Sequence, residues 1–431
     1  MKILLINPPN CGKSIPEERY GIDSIKQIFR GEPLALEVLA GNLDDHEVRI
    51  IDLKVEPGGL DSLLVDFIPD LAGITSVTCE ANTVLILAEK VKKLSEALVI
   101  VGGIHASNDP EFFNKPNIDW VVLGLGKASF RELVQALETK GNTENIPGVA
   151  KTSPGKPLTY TKRNYSTLDL VDNKPPCYVL VEKYRDTYIM KSLGRKMGFV
   201  ATAFGCPFAC SFCCISGLTG RRYITHQTES VIRDIGLLGD IEIIRLLDAN
   251  TFGDLDHARK LAQAVKEAGI NKQFLADVRS DTVVSHPDLM REWKEIGLRA
   301  VIIGFEEISD EALKKLNKAN KAEINTESIR ILHDLGITVI GDFIISPDYD
   351  EQQFDALAGY IKDNKVDLPI PSVLTPLPGT QLFETLKEKI VISDLDYYTF
   401  TNAVIPTRLD EQVFYEKYAA LIKESHKDAK L

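Results

Sequence analysis

The sequence predicts an α/β protein with a doubly wound, Rossmann-like domain first, a partial six-stranded (β/α) barrel second and a small helical cap last. Short apolar runs alternate with helical patterns in two separate series. A proline-containing stretch divides the series, and the second has six βα steps, fewer than the eight of a closed barrel. At 431 residues the chain can form two or three compact units.

The first series occupies residues 1–150, where apolar runs end in Asn, Pro, Ser, Thr or Gly. The predicted strands are Lys2–Asn7, Val48–Leu53, Leu71–Val77, Ala97–Gly102 and Asp119–Leu123. Leu34–Leu43 and Ala81–Leu94 have apolar residues at helical spacing. Strands that alternate with helices form parallel sheets, and ligands bind such sheets beyond the carboxyl ends of the strands.

Residues 151–195 lose this pattern and contain Pro154, Pro157 and Pro175, which indicates a linker. The second series fills residues 196–385. Its predicted strands are Gly198–Ala203, Glu242–Leu247, Gln273–Asp277, Ala300–Gly304, Val339–Ile345 and Pro371–Leu374. Residues 386–431 contain a final amphipathic helix, Glu411–Glu424, and we expect them to cap the barrel.

The charge and the apolar runs of the chain exclude several classes of partner. Fifty basic and sixty-two acidic residues give a net charge of −12, which argues against a protein that neutralises a nucleic-acid backbone. No run reaches the ~18 apolar residues of a membrane span, and the amino terminus does not resemble a signal peptide. We therefore expect a cytoplasmic protein without a membrane or nucleic-acid partner.

Four of the seven cysteines fall within nine residues, at Cys206, Cys210, Cys213 and Cys214. An odd total and such close spacing are typical of a metal site in a reducing compartment rather than of a disulfide framework. The cluster follows the first strand of the second series, at the face where barrels carry their active sites. Spacings of four and three residues allow three thiolates to hold one [4Fe-4S] cluster and leave one iron open.

The alternatives are a zinc knuckle with Cys214 as fourth ligand, or packed thiols without a metal. Zinc sites usually combine two ligand pairs across a longer loop, whereas Cys213 and Cys214 are adjacent and cannot easily reach the same ion. We therefore expect Cys214 to be a packed thiol.

The Cys-x3-Cys-x2-Cys spacing, with Phe212 before the third cysteine, resembles the signature of the radical S-adenosylmethionine (SAM) superfamily. The resemblance implies that Cys206, Cys210 and Cys213 hold a [4Fe-4S] cluster whose open iron is chelated by SAM. It also implies that Phe212 lies near the adenine. The cluster would pass one electron to the sulfonium and release a 5′-deoxyadenosyl radical.

Further segments resemble the cobalamin-containing branch of that superfamily. They are Leu247–Phe252, Ala276–Asp281, Gly304–Glu307 and Thr375–Thr380. We assign Asn250 to SAM. By their charge at strand ends, Arg279 and Glu306 are expected partners of the SAM carboxylate and of its ammonium or ribose, with a solvated strand-end ion pair as the alternative for each. Glu307 stands where the branch more often has Ser, which is a departure from its pattern.

In the first domain, the segments Ile6–Pro9, Glu32–Leu36, Val101–Ala106 and Leu123–Gly126 resemble the cobalamin-binding domain of the same branch. Paired glycines after a strand let the backbone approach a ligand closely. The residues assigned to cobalamin are Thr78, Cys79, Glu80, Gly102, Gly103, His105 and Gly124. Loop packing is the alternative for Thr78, Cys79 and Glu80, turn capping for His105, and a domain without cofactor for the whole region.

The resemblance implies a cobalamin-dependent radical SAM methyltransferase that methylates an unactivated sp3 carbon, supplied with electrons by a ferredoxin- or flavodoxin-like protein. A peptide or protein side chain is the expected substrate, because little chain remains to close the site. A ring-forming or oxidative enzyme of the same architecture and a cobalamin and iron–sulfur sensor remain alternatives. A methylthiotransferase would need a second cluster, for which the first domain offers only Cys11 and Cys79.

Overall fold

The structure is a computed structural model that describes residues 1–23, 31–166, 174–190, 194–427 and 429. Its strands are β1 (Lys2–Asn7), β2 (Glu47–Asp52), β3 (Leu71–Thr75), β4 (Leu98–Gly102), β5 (Trp120–Val122), β6 (Val149–Lys151), β7 (Ile189–Met190), β8 (Arg195–Val200), β9 (Ala203–Phe204), β10 (Ile224–Thr225), β11 (Ile243–Leu246), β12 (Gln273–Asp277), β13 (Leu298–Glu306), β14 (Thr338–Ile345) and β15 (Leu368–Val373).

The helices are α1 (Ile15–Tyr20), α2 (Leu34–Gly41), α3 (Leu60–Phe67), α4 (Ala81–Leu94), α5 (Ile104–Asn108), α6 (Lys127–Glu138), α7 (Ser216–Thr219), α8 (Thr228–Leu237), α9 (Leu255–Glu267), α10 (Ser280–Ser285), α11 (Pro287–Glu295), α12 (Asp310–Lys315), α13 (Ala322–Asp334), α14 (Glu351–Asp363), α15 (Gln381–Leu386) and α16 (Glu411–Ser425). Within the described residues none of them is long and apolar enough to cross a membrane.

The first compact unit contains the described residues of 1–12, 31–188 and 214–222. Its sheet has the order β2-β1-β3-β4-β5-β6, parallel except for β6, which the sequence did not predict. The chain reverses direction across the sheet between β1 and β3, and at such a switch point a doubly wound sheet opens a crevice for a ligand. The doubly wound fold predicted for this region is confirmed.

Residues 178–188, which the sequence places in the linker, belong to the core of this first unit. Val181, Tyr184 and Tyr188 are buried among the side chains that cover β1 and β2. Residues 178–187 form a 3₁₀ helix, so their apolar residues do not follow the spacing of an α-helix or a strand. The sequence pattern therefore did not predict this packing. Residues 167–173 and 191–193 of the predicted linker lie outside the described residues, and the predicted boundaries at 150, 195 and 385 stay predictions.

The second unit contains a seven-stranded sheet of order β15-β14-β13-β12-β11-β8-β7. Six of these strands are parallel, and β7 pairs antiparallel with β8. The predicted partial barrel is therefore confirmed. Helices cover its outer face, and α14 begins with a capping box in which Asp350 and Gln353 satisfy each other's backbone amides.

The cap of this second unit includes a segment from near the amino terminus. Lys13 binds Asp394 and Asp396, and the backbone amide of Ile15 donates to Asn402 Oδ1 at 2.7 Å. Arg19 forms an ion pair with Glu411 at the start of α16. These contacts between distant parts of the sequence could not be predicted from local pattern.

Candidate active site

The three candidate cluster ligands lie on the loop that follows β8 and β9, at the carboxyl end of the first barrel strand. Cys206, Cys210 and Cys213 are half-buried, and none of the seven cysteines forms a disulfide. Gly205, with φ of 78°, provides the turn into the loop. Just before the loop, Asp248 accepts hydrogen bonds from the backbone amides of Thr202 and Ala203 at 2.7 and 2.9 Å.

A second loop, Leu316–Asn320, holds the cysteine loop on both sides of Cys210. The Leu316 carbonyl accepts from the Ser211 amide at 3.0 Å and from its hydroxyl at 3.1 Å. The Asn317 side-chain amide donates to the Ala209 carbonyl at 2.6 Å. We call Leu316–Asn320 the brace loop. It connects α12 to α13 and was not singled out by the sequence.

Arg279 joins the brace loop to the cysteine loop. Its guanidinium lies 3.7 Å from the centre of the Phe208 ring. Nη2 donates to the carbonyls of Lys318 and Ala319 at 3.3 and 3.2 Å, and the side chain also binds Asp281. Arg279 therefore lies beside the cysteine loop, but most of its donors are already satisfied by the protein, and its assignment to SAM stays a prediction.

Two cations of this region act on Cys210. Burial raises the pKa of the Cys210 thiol, while Lys318 and then Arg279 oppose that rise. Positive charge near a thiol favours the thiolate, which is the form that binds iron. The residues present thus match the donor chemistry of a cluster held by Cys206, Cys210 and Cys213.

Within the described residues no three His, Cys, Asp or Glu side chains converge on a single metal ion. A four-iron cluster distributes its cysteines over different irons and does not need such convergence. Cys214 belongs to the first unit, where its carbonyl accepts from Asn108 at 3.1 Å. Burial raises the pKa of the Cys214 thiol, which suits a packed thiol.

The remaining residues assigned to SAM differ in exposure. Phe212 is half-buried within the cysteine loop. Asn250 is buried, and its Oδ1 has no hydrogen-bond partner among the described residues. Glu306 has φ of 64° at an irregularity between β13 and β14, and its carboxylate binds Lys318 Nζ at 2.7 Å. Backbone strain of this kind clusters at functional sites, and the roles of all three residues stay predictions.

Charged side chains that the sequence did not single out line the barrel beside Glu306. Arg245 on β11 forms an ion pair with Asp277 on β12, and burial raises the pKa of Asp277 to about 6. Asp342 on β14 lies opposite Gly304 in the strand register and has no ion-pair or hydrogen-bond partner among the described residues. Burial, followed by Glu306 and Asp277, raises its pKa well above the usual range. Strand alternation alone could not reveal which polar residues face inward.

In the first unit, Thr78–Glu80 form a 3₁₀ turn after β3, beside the switch point. Glu80 is buried and binds Lys54, which follows β2. The Cys11 thiol donates to the Cys79 carbonyl at 3.5 Å, and burial raises the pKa of Cys79 to about 12. Cys79 is therefore a neutral thiol in this environment.

The loop after β4 requires glycine. Gly103 has φ of 101°, and a Cβ atom there would lie 2.6 Å from the backbone nitrogen and oxygen of Ser76. His105 is buried between Phe112 and Phe113, and neither ring nitrogen has a partner among the described residues. Burial lowers its pKa to about 4, so the ring is neutral at neutral pH.

The loop after β5 is filled by the chain itself. A Cβ on Gly124 would lie 2.0 Å from the Tyr165 hydroxyl, which accepts from the Leu125 amide and donates to the Leu123 carbonyl. Ser107 accepts the Gly124 amide at 2.9 Å. Gly124 therefore packs against Tyr165, and its predicted contact with cobalamin stays a prediction.

The first unit has features that fit a large ligand at its strand ends. The loops after β1, β3 and β4 meet at the switch point, Gly103 permits close backbone approach, and His105 carries two buried nitrogens without partners. Cobalamin would be held by these loops, with Thr78, Cys79 and Glu80 contributing from β3 and Gly102 from β4. No histidine lies in an Asp-x-His-x-x-Gly motif after β1.

Fold and site together define an iron–sulfur barrel enzyme with a separate doubly wound ligand domain. A model of the radical SAM superfamily matches residues 200–361, and one of the B12 binding domain matches residues 26–134. Hopanoid C-3 methylase of Methylococcus capsulatus is 31% identical over 90% of this chain and 75% of its own. The chain belongs to the cobalamin-dependent radical SAM family and is a class B methyltransferase that uses a [4Fe-4S] cluster, SAM and cobalamin.

A further relative and a solved structure are also similar to this chain. An uncharacterized methyltransferase of Pyrococcus horikoshii is 28% identical over 99% of this chain and 92% of its own. The radical SAM methyltransferase TsrM of Kitasatospora setae, solved with cobalamin and a [4Fe-4S] cluster, has the same fold. Its TM-score is 0.74 at 17% identity, covering 98% of this chain and 90% of that one.

Proposed function

We propose that the enzyme transfers a methyl group to an sp3 carbon of a substrate with an apolar or ring-bearing part. The observation that carries the proposal is a three-cysteine loop at the active face of a barrel in a chain that also has a B12-binding domain. The relative from Methylococcus is named for methylation at C-3 of a hopanoid, and two relatives from Chlorobaculum tepidum are named bacteriochlorophyllide d methyltransferases.

When bound, the cluster supplies the electron that cleaves SAM, and cobalamin supplies the methyl group. The protein's own residues position these groups. Cys206, Cys210 and Cys213 would ligate three irons and leave the fourth for SAM. Arg279 and the brace loop fix the cysteine loop, and a ferredoxin- or flavodoxin-like protein would deliver the electrons.

Phe400 supports an apolar substrate. Its carbonyl accepts from the Val373 amide at 2.7 Å, which places the residue beside the carboxyl end of the last barrel strand. The residue is 48% exposed, and its backbone has φ of 64°, an uncommon value for a bulky residue. By contrast, Tyr398 is buried in the cap, and the Tyr397 hydroxyl donates to Glu18.

The test is anaerobic reconstitution with iron, sulfide and hydroxocobalamin, followed by incubation with a reductant and SAM labelled with ¹³C in its methyl group. Lipid, pigment and peptide extracts are offered in parallel, and mass spectrometry locates labelled products. We expect a labelled product together with 5′-deoxyadenosine from a non-peptide fraction. Labelling confined to the peptide fraction would instead support the side-chain substrate that the sequence predicts.

A ring-forming reaction is the second candidate, because three matched relatives are named anaerobic magnesium-protoporphyrin IX monomethyl ester cyclases. Cyclisation removes hydrogen from the substrate and adds no label, so the same mass spectra distinguish it from methylation. Absence of 5′-deoxyadenosine with every fraction would contradict the proposed substrate class. The predicted cytoplasmic location stays a prediction.

A further inference from the structure

The brace loop has an unfavourable backbone conformation at two residues. Asn317 and Ala319 have φ of 52° and 51°, in the left-handed region, and neither is glycine. Such conformations cost free energy and persist where the surrounding contacts fix them. Here Asn320 donates to Ser280 Oγ at 2.7 Å and to Asn325 Oδ1 at 2.9 Å, which anchors the far end of the loop.

The brace loop presents two sets of groups. The Leu316 carbonyl and the Asn317 amide reach the residues on either side of Cys210, as described above. Lys318 instead points toward Glu306, and both side chains are about nine-tenths buried. A Cβ atom on Gly304 would lie 2.3 Å from Glu306 Oε1 and 3.0 Å from Lys318 Nζ, so a side chain at that position would displace the pair.

This arrangement places a buried ammonium on the loop whose hydrogen bonds hold the residues on either side of Cys210. A charge in a low-dielectric environment acts more strongly than one in water. Adding an electron to a cluster increases its negative charge, so a fixed positive charge nearby favours the reduced state. Glu306 has the opposite charge and opposes this effect.

We propose that the charge of Lys318 raises the reduction potential of the iron–sulfur cluster. The brace loop holds Lys318 in place for this role. Glu306 limits the effect by partly neutralising Lys318. The inference depends on the cluster but not on the substrate, so a failure to find a methylated product would leave it standing.

The test is a redox titration of the full-length, reconstituted protein without SAM or substrate, followed by electron paramagnetic resonance. Lys318→Gln should shift the midpoint potential to more negative values at unchanged iron and sulfide content. Lys318→Arg keeps the charge and should restore the value of the unsubstituted protein. Lys314→Gln removes an exposed lysine of α12 and is the matched control, with no expected shift.

The midpoint potential of Glu306→Gln is a second test, and it does not depend on whether Lys318→Gln folds. The amide keeps an oxygen for Lys318 but removes the negative charge, so the potential should move in the opposite direction, to less negative values. Equal potentials for the unsubstituted protein and Glu306→Gln would overturn the proposal. So would a fully loaded Lys318→Gln with an unchanged potential, or an Arg variant that behaves like the Gln variant.

Discussion

The cysteine loop and the strand-end loops of the first sheet are both built to receive a cofactor, but they are stabilised differently. Hydrogen bonds and charged groups from distant parts of the sequence fix the cysteine loop, through Ser211, Asn317 and Arg279. The first sheet instead buries neutral polar groups without partners, such as His105. Changes of charge should therefore affect the cluster most, whereas changes of pH and backbone shape should affect the first unit.

The largest expected effect separates two neighbouring thiols. Cys210→Ala removes one of three cluster ligands, so iron binding and 5′-deoxyadenosine release should fall to the level of protein without a cluster. Cys214→Ala, the matched control, should retain both, because we expect Cys214 to be a packed thiol rather than a cluster ligand. Iron analysis and nucleoside chromatography measure the outcome. Loss of the cluster in Cys214→Ala would show that the two thiols are not different in role.

Gly103→Ala tests the backbone of the first unit. A methyl group 2.6 Å from Ser76, together with the positive φ, should destabilise the protein by about 3 kcal/mol. Thermal unfolding and cobalamin retention after gel filtration measure the effect. Gly58→Ala is the control, since its added Cβ would meet nothing within 4 Å. Equal stability of the two variants would contradict the role given to Gly103.

His105 makes the first unit sensitive to acid. Its folded pKa of about 4 lies below the usual 6.5, so the unfolded chain binds more protons between these values. Stability should fall by up to roughly 3 kcal/mol as the pH drops from about 6.5 to 4. His105→Phe should flatten this part of the profile, measured by urea unfolding at each pH. An unchanged slope would contradict the assignment.

Glu37 should give a pH effect in the opposite direction. It is fully buried with both carboxylate oxygens unpartnered among the described residues, and burial, followed by Glu32, raises its pKa well above 4.5. Stability from the protonated form is present at low pH and is lost as the pH rises through the folded pKa. Glu37→Gln should be more stable than the original near pH 9, where the buried carboxylate of Glu37 would carry a charge. Identical unfolding curves at that pH would exclude a titrating Glu37.

The sequence was most informative where function and structure depend on consecutive residues. The cysteine spacing and the two βα series are local patterns. The spacing correctly indicated the radical SAM superfamily, and the two series correctly indicated two α/β folds. Arg279 was assigned to SAM, which stays a prediction, and its stacking on Phe208 was not foreseen. Residues 178–188 and Lys13 were missed because their partners lie far away in the sequence.

The sequence by itself determined the order of the two folds and the position of the thiols at a strand end, because hydrophobic period and motif spacing are local properties. Tertiary structure decided which polar residues surround those thiols. Lys318, Asp342 and Arg245 reach the barrel interior from separate elements, and only their packing gives them a common environment. Burial and neighbouring charge then set their chemistry, and both depend on the complete three-dimensional arrangement.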